Sequence, residues 1–289
     1  MKLVTFEHAG KVAVGRIIND RIVDVSIACP SLPRDMRSLL QQWDAVRPQL
    51  EALQSIEGIP LGKVKLLAPV SQPGKLMAIG ANYSDHVEEA RAKGVNVPAG
   101  QIWFNKQTSC VTGPYDPVYM PAVTSMLDWE VELAVVIGKR CRHVSAERAL
   151  DVVAGYTVLN DYTCRDWQLR TPTWTLSKSF DSHGPIGPWI VTADEIPDPQ
   201  ALGLRLWVNG ELRQQASTAQ MIHDIRAQIE HLTTVMTLEP GDVIATGTPA
   251  GVAFGMAAPT YLKVGDVVRA EIDMIGSIEN RIVAEQVEN

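Results

Sequence analysis

"LDWEVELAVVIGK", residues 127–139, has the composition of a strand running into a protein interior, yet it carries Asp128, Glu130 and Glu132 among apolar residues. Side chains of a strand alternate between faces. Asp128, Glu130 and Glu132 therefore share one face, and Trp129, Val131, Leu133 and Val135 share the other. Carboxylates two residues apart repel, and an ionised carboxylate taken from water without a partner must gain a proton, a cation or a metal. Either this face meets solvent and its glutamates pair with Lys or Arg, or distant segments supply what they need.

One such segment is "LNDYTCRDWQ", residues 159–168, where Asp161 ends the apolar run "YTVL". Glu130, Glu132 and Asp161 would make an oxygen-only set, which suits Mg²⁺ or Mn²⁺ better than Zn²⁺. In "GANYSDHVEEARAKG", residues 80–94, Ser84 or Asp85 can cap a helix on which His86 and Glu89, three apart, share a face. A carboxylate beside an imidazole orients it and stabilises its protonated form, as a general base requires. An exposed helix with an ordinary ion pair has the same pattern. The following "AKGVNVPAG" has the glycines and proline of a mobile lid.

"TLSKSFDSHGPIGPW", residues 175–189, places Lys178 in a Ser-, Gly- and Pro-punctuated stretch where it can bind a carboxylate or an oxyanion, or simply be solvated. "ATGTPAGVAFG", residues 245–255, lacks both the P-loop ending and the dinucleotide fingerprint. Its backbone N–H groups and the Thr248 hydroxyl can still receive an anionic group. His223 and His231 flank the apolar stripe of their helix and are expected at its edge.

The chain has 289 residues, 46% of them hydrophobic, enough for a large packed core. Its 26 Lys and Arg against 33 Asp and Glu leave a net charge of −7, and no basic block occurs, which argues against nucleic acid as a partner. The four widely spaced cysteines suggest reduced thiols rather than a disulfide framework. Without a signal-peptide pattern or a run of roughly 20 apolar residues, the chain is expected to be cytoplasmic and off the membrane.

Short β-branched runs separated by turns predominate, with "VAVGRIINDRIVDVS" as two strands joined at Asn19-Asp20. A helix-compatible stretch spans about 34–56, and "SAERALDVVAG" and "STAQMIHDIRAQIEHLTTVM" read as helices, the former capped by Ser145 and stopped by Gly155. These patterns predict a mixed α+β or largely β fold rather than a doubly wound sheet, with a small N-terminal β-rich domain over 1–68 and a larger domain over 69–289.

Taken together, "GANYSDHVEE", "LDWEVELAVVIGK", "NDYTCRDWQ", "SKSFDSHGPIGPW", "VNGE", "PGDVIATGTPAGV" and "GSIEN" resemble, in order and spacing, the fumarylacetoacetate hydrolase family over about residues 66–285. The resemblance implies a mixed β-sheet roll around a central cavity, usually a homodimer, with Mg²⁺ or Mn²⁺ held by Glu130, Glu132 and Asp161. It further implies a water-activating pair in His86 and Glu89, and substrate contacts from Arg165, Gln168, Lys178 and Thr248. Asp128 would then support the metal ligands from behind. The implied activity is hydrolysis of the C–C bond in a 2,4-dioxo acid, an acylpyruvate such as fumarylpyruvate or maleylpyruvate, to pyruvate and a carboxylic acid. Oxaloacetate decarboxylation and hydroxymuconate-type isomerisation use the same chemistry. The chain departs from the family in "FNKQTSC", where many relatives have Lys-Pro, and Gln107 is expected to alter a pocket wall.

Overall fold

The structure, a computed structural model, describes residues 1–53 and 58–285. Its centre is the strand Val131–Ile137, buried along its whole length. Val131, Leu133, Val135 and Ile137 enter one apolar cluster, and Ala134 and Val136 enter another on the opposite side. The alternation inferred for residues 128–135 is therefore kept, but both faces are interior. Glu132 lies on the Ala134 face, inside the protein.

Around this strand runs a 12-stranded mixed sheet. Val131–Ile137 pairs antiparallel with Val153–Asn160 on one side and Val243–Ala245 on the other, and Val243–Ala245 pairs parallel with Leu76–Gly80. A second, five-stranded sheet, containing Gly203–Val208, Glu211–Ser217, Val267–Ile272 and Gly276–Ala284, packs its Leu204, Leu206, Val268, Ala270 and Ile272 into the cluster on the Val131 side. Mixed sheets with few helices make this an α+β fold.

The N-terminal strands extend the large sheet. Lys2–His8 pairs with Gly184–Thr192 through Lys2↔Val191 and Leu3↔Ile190. Leu3, Leu39, Leu40 and Leu50 share a core with Leu76, Ala134 and Ile190. The Asn19-Asp20 turn has positive φ at both residues, 49° and 58°, as a two-residue hairpin between twisted strands requires. Helices cover Met36–Gln41 and Trp43–Glu51, while 54–56 of the expected helical stretch lie outside the described residues.

Four helical expectations need correction. Ala146–Val152 is a 3₁₀ helix, and the Ser145 side chain makes no cap. Gly155 does not stop a helix but sits inside Val153–Asn160, where a Cβ would collide with the Val191 carbonyl oxygen of the neighbouring strand. Within 217–236 the α-helix begins only at Ile225, where the Asp224 side chain accepts from Ala227 N, leaving Ile222 48% exposed. The helix Ser84–Ala92 has Tyr83 at its N-cap, so neither Ser84 nor Asp85 caps it and both lie in its first turn. Cys29, Cys110, Cys141 and Cys164 are free thiols. Among the described residues no helix is long and apolar enough to cross a membrane.

Candidate active site

Strand register assembles the site. Val131 pairs with Asn160, so the next residue, Asp161, lies beside Glu130, whose carbonyl accepts from Asp161 N at 2.8 Å. Glu130, Glu132 and Asp161 each offer an oxygen within 4.8 Å of the others. Because Leu76–Gly80 and Val243–Ala245 run parallel, the segments leaving them emerge at the same end. One carries His86, and the other brings the Gly247 N–H to Glu132 Oε2 at 2.7 Å. Gly247 has φ +95°, a conformation that favours glycine, and a Cβ there would crowd Asn82.

Asp128, Glu130, Glu132 and Asp161 are all buried, and cations meet three of them. Arg165 donates from Nε to Asp128 at 2.8 Å and from Nη2 to Glu130 at 2.7 Å. Lys178 Nζ bridges Glu130 at 2.6 Å and Asp161 at 2.7 Å. Asp161 also receives Lys106 Nζ at 2.6 Å. Asp128 further accepts N–H bonds from Trp129, Ala253 and Phe254, which fix the loop after Gly251.

These partners set opposite titration behaviour in neighbouring glutamates. Burial pushes the Glu130 carboxyl up, but Lys178 and then Arg165 overcome it and hold it down at about 2. Burial also pushes Glu132 up, and here Asp161 and Glu130 add repulsion, so its pKa lies well above the ordinary value. Among the described residues, the four buried carboxylates of this cluster face three cations, and Glu132 is the one without a cationic partner. A cluster of hard oxygen donors short of positive charge at that point fits a divalent cation held by Glu130, Glu132 and Asp161.

A prediction follows from Glu132. Its raised folded pKa means the native state binds more protons, so this group lowers the stability of metal-free protein as pH rises from the ordinary glutamate range through the raised value. Glu130 acts in the opposite sense, losing stability as pH falls from that range to about 2. Glu132→Gln is therefore expected to stabilise metal-free protein by about 1–3 kcal/mol at neutral pH. The same change should abolish the stabilisation given by Mn²⁺, about 2.7 kcal/mol at one hundred times its Kd for the wild type. Thermal unfolding with and without Mn²⁺ checks both, and an undiminished metal response would remove Glu132 from the ligand set.

His86, Glu130, Glu132, Arg165, Gln168, Lys178 and Thr248 line one cavity of about 360 Å³. Glu89 stands behind His86, with Oε2 3.1 Å from Nδ1 and Oε1 accepting from Gly251 N at 2.9 Å. Gln168 accepts from Arg165 Nη1 at 3.0 Å. The Thr248 hydroxyl donates to the Val131 carbonyl and accepts from Gln214, so it braces the loop that presents Gly247. Val95, Asn96, Val97 and Pro98, the segment with lid-like composition, also line the cavity.

Two points differ from expectation. Gln107 is exposed and does not line the cavity, its backbone N–H donating to Ser179 Oγ at 2.9 Å. Its neighbour Lys106 is the residue that matters, with Nζ buried and donating to Asp161, the Lys178 carbonyl and the His183 carbonyl. Period-two spacing from Ile102 through Phe104 to Lys106 was the available signal, since it turns the lysine inward with Phe104.

The geometry has close counterparts in known proteins. Residues 75–283 match the family model of the fumarylacetoacetate hydrolase C-terminal domain. The mitochondrial oxaloacetate tautomerase of Xenopus laevis is 42% identical, with 98% of this chain and 90% of that protein covered. The maleylpyruvate hydrolase of Sphingobium sp. SYK-6, solved with manganese(II) and pyruvate, superposes with TM-score 0.84 at 36% identity, covering 99% of this chain and 100% of that one. The 5-carboxymethyl-2-hydroxymuconate delta-isomerase of Mycobacterium smegmatis gives TM-score 0.79 at 33% identity with the same coverage. With a matched catalytic domain and relatives this similar over nearly its whole length, the chain belongs to the fumarylacetoacetate hydrolase family.

Proposed function

We propose that this protein hydrolyses the C–C bond of a 2,4-dioxo acid, an acylpyruvate, releasing pyruvate and a carboxylic acid. The His86–Glu89 pair carries the reading. It places an imidazole on the wall shared with Glu130 and Glu132 and holds its Nδ1 against a carboxylate that Gly251 fixes in turn. Glu130, Glu132 and Asp161 would hold a cation, Mg²⁺ or Mn²⁺ by the donor set, which would supply Lewis acidity to a bound 2-oxo acid.

The protein groups do the rest. Glu89 orients His86 and stabilises its protonated form, so His86 can take a proton from water as the oxygen adds to the 4-carbonyl carbon. The C3–C4 bond then breaks, and its electron pair passes to C3, conjugated with the 2-oxo group. The proton held by His86 returns to C3, and the acyl carbon leaves as the carboxylic acid, with one water consumed. Lys178, between Glu130 and Asp161, offers positive charge against the charge growing on substrate oxygens. Arg165 and Gln168, bonded to each other, give a fixed polar wall against which the substrate is oriented.

A second reading, keto–enol tautomerisation of oxaloacetate, is favoured by the activity named for the Xenopus relative at 42% identity. It needs a proton moved between C3 and the enol oxygen, with no carbon–carbon bond broken. Mn²⁺-loaded protein should consume acetylpyruvate with pyruvate formed mole for mole. Decay of the oxaloacetate enol without pyruvate, with acylpyruvates untouched, would assign the site to the tautomerase reading.

A further inference from the structure

Beyond its charged floor the cavity changes character. Val95 and Val97 after the His86 helix, Ile102 and Phe104 on the next strand, and Leu169 and Trp174 form an apolar stretch of its remaining wall, with Asn96 a polar side chain beside them. Phe104 and Trp174 meet edge to face with ring centroids 5.5 Å apart, and Trp174 packs so closely on Gly80 that a Cβ there would collide with it. Phe104 also marks the border with the charged end, because the Lys178 ammonium lies 5.2 Å from its ring centre. A ligand anchored at the carboxylates and long enough to leave them runs onto this apolar wall.

Among the described residues, Arg165 and Lys178 are the lysines and arginines that line the cavity, and both are engaged. Arg165 donates from Nε, Nη1 and Nη2 to Asp128, Gln168 and Glu130, and Lys178 donates to Glu130 and Asp161, so both charges are held at the carboxylate floor. A second carboxylate at the far end of a substrate would be drawn from water where, among the described residues, no lysine or arginine of the apolar wall receives it. Methylene groups would gain from the same transfer.

We propose that, among 2,4-dioxo acids, this site selects those whose acyl group is an apolar chain and disfavours those that end in a second carboxylate. The inference rests on the acylpyruvate reading and narrows it, since fumaryl and maleyl groups both fall on the disfavoured side.

The test is binding to the full-length, Mn²⁺-loaded protein, measured by calorimetric titration with pyruvate, 2-oxobutyrate, 2-oxopentanoate, 2-oxohexanoate and 2-oxoadipate. Each added methylene is expected to tighten binding about threefold to fourfold. 2-Oxoadipate should bind at least about tenfold more weakly than 2-oxohexanoate of equal carbon count. Leu169 is 63% exposed at the rim, so Leu169→Arg is tolerable there. It should tighten 2-oxoadipate relative to 2-oxohexanoate by about twofold to fivefold, the size of a solvent-exposed ion pair. Affinity independent of chain length, or 2-oxoadipate as tight as 2-oxohexanoate, would overturn this selectivity while leaving the 2-oxo acid site standing. Failure of every compound, pyruvate included, would overturn the acylpyruvate reading itself and the selectivity with it.

Discussion

Lys106→Met is expected to lower the unfolding free energy of the metal-free protein by about 3–5 kcal/mol, the usual cost of removing one partner of a buried ion pair. Methionine has nearly the length of lysine, so packing is largely kept and the loss reports charge and hydrogen bonding. Asp161 would lose its 2.6 Å partner, and the carbonyls of Lys178 and His183 would lose a buried donor. The cluster would then hold four carboxylates against two cations, which raises the repulsion already felt by Glu132. Urea unfolding with an unchanged m-value would measure the loss. Asp161→Asn in the same chain should restore part of it, because an amide does not need the missing charge. A loss below about 1 kcal/mol would mean that water reaches the ammonium and the pair acts as a surface one.

The pH dependence of this term has a definite sign. Burial pulls the Lys106 pKa down, but Asp161 reverses this and raises it overall. Its contribution is therefore complete below the ordinary lysine value and is lost only as pH climbs through the raised one. Lys106→Met should flatten the alkaline limb of the stability profile while leaving the acid limb, where Glu130 is titrated, in place.

Lys106 also shows where the sequence stops being informative. That Glu130, Glu132 and Asp161 can meet is legible from it, because period-two alternation puts the glutamates on one face and an apolar run ends at Asp161, but their choice as a ligand set comes from the family resemblance. Helical spacing puts His86 and Glu89 on one face, but an ordinary ion pair has the same spacing, and their expected role comes from the family resemblance. The partners of Lys106 are not, since besides Asp161, 55 positions away, they are backbone carbonyls 72 and 77 positions away, and a carbonyl has no letter in a sequence. The same holds for Gly247, whose role is an N–H aimed at Glu132. Gly155 misleads for a related reason: its place is set by how closely the strand at Val191 approaches, not by the helix-like pattern before it. The junction Lys2↔Val191, which joins the N-terminal strands to the large sheet, likewise leaves no local signature in either strand.

His86→Ala is expected to lower kcat on an acylpyruvate by about 10² to 10⁴, the usual range for a general base. The argument turns on what the side chain touches. His86 lines the cavity and bonds Glu89, and none of the carboxylates of the triad is among its hydrogen-bond partners. Metal affinity should accordingly survive, and the thermal response to Mn²⁺ serves as the internal control. Glu89→Gln should act in the same direction by a smaller factor. It keeps a partner for Nδ1 but removes the charge that stabilises the imidazolium, and it alters the bond that anchors the loop at Gly251. Tautomerisation of oxaloacetate separates two roles for the imidazole, because no water need be deprotonated there. A much smaller loss on that reaction in His86→Ala would identify the imidazole as the base that activates water. Equal losses on both reactions would mean instead that His86 exchanges a proton with C3 or positions the 2-oxo acid, and water activation would have to be sought elsewhere on the cavity wall.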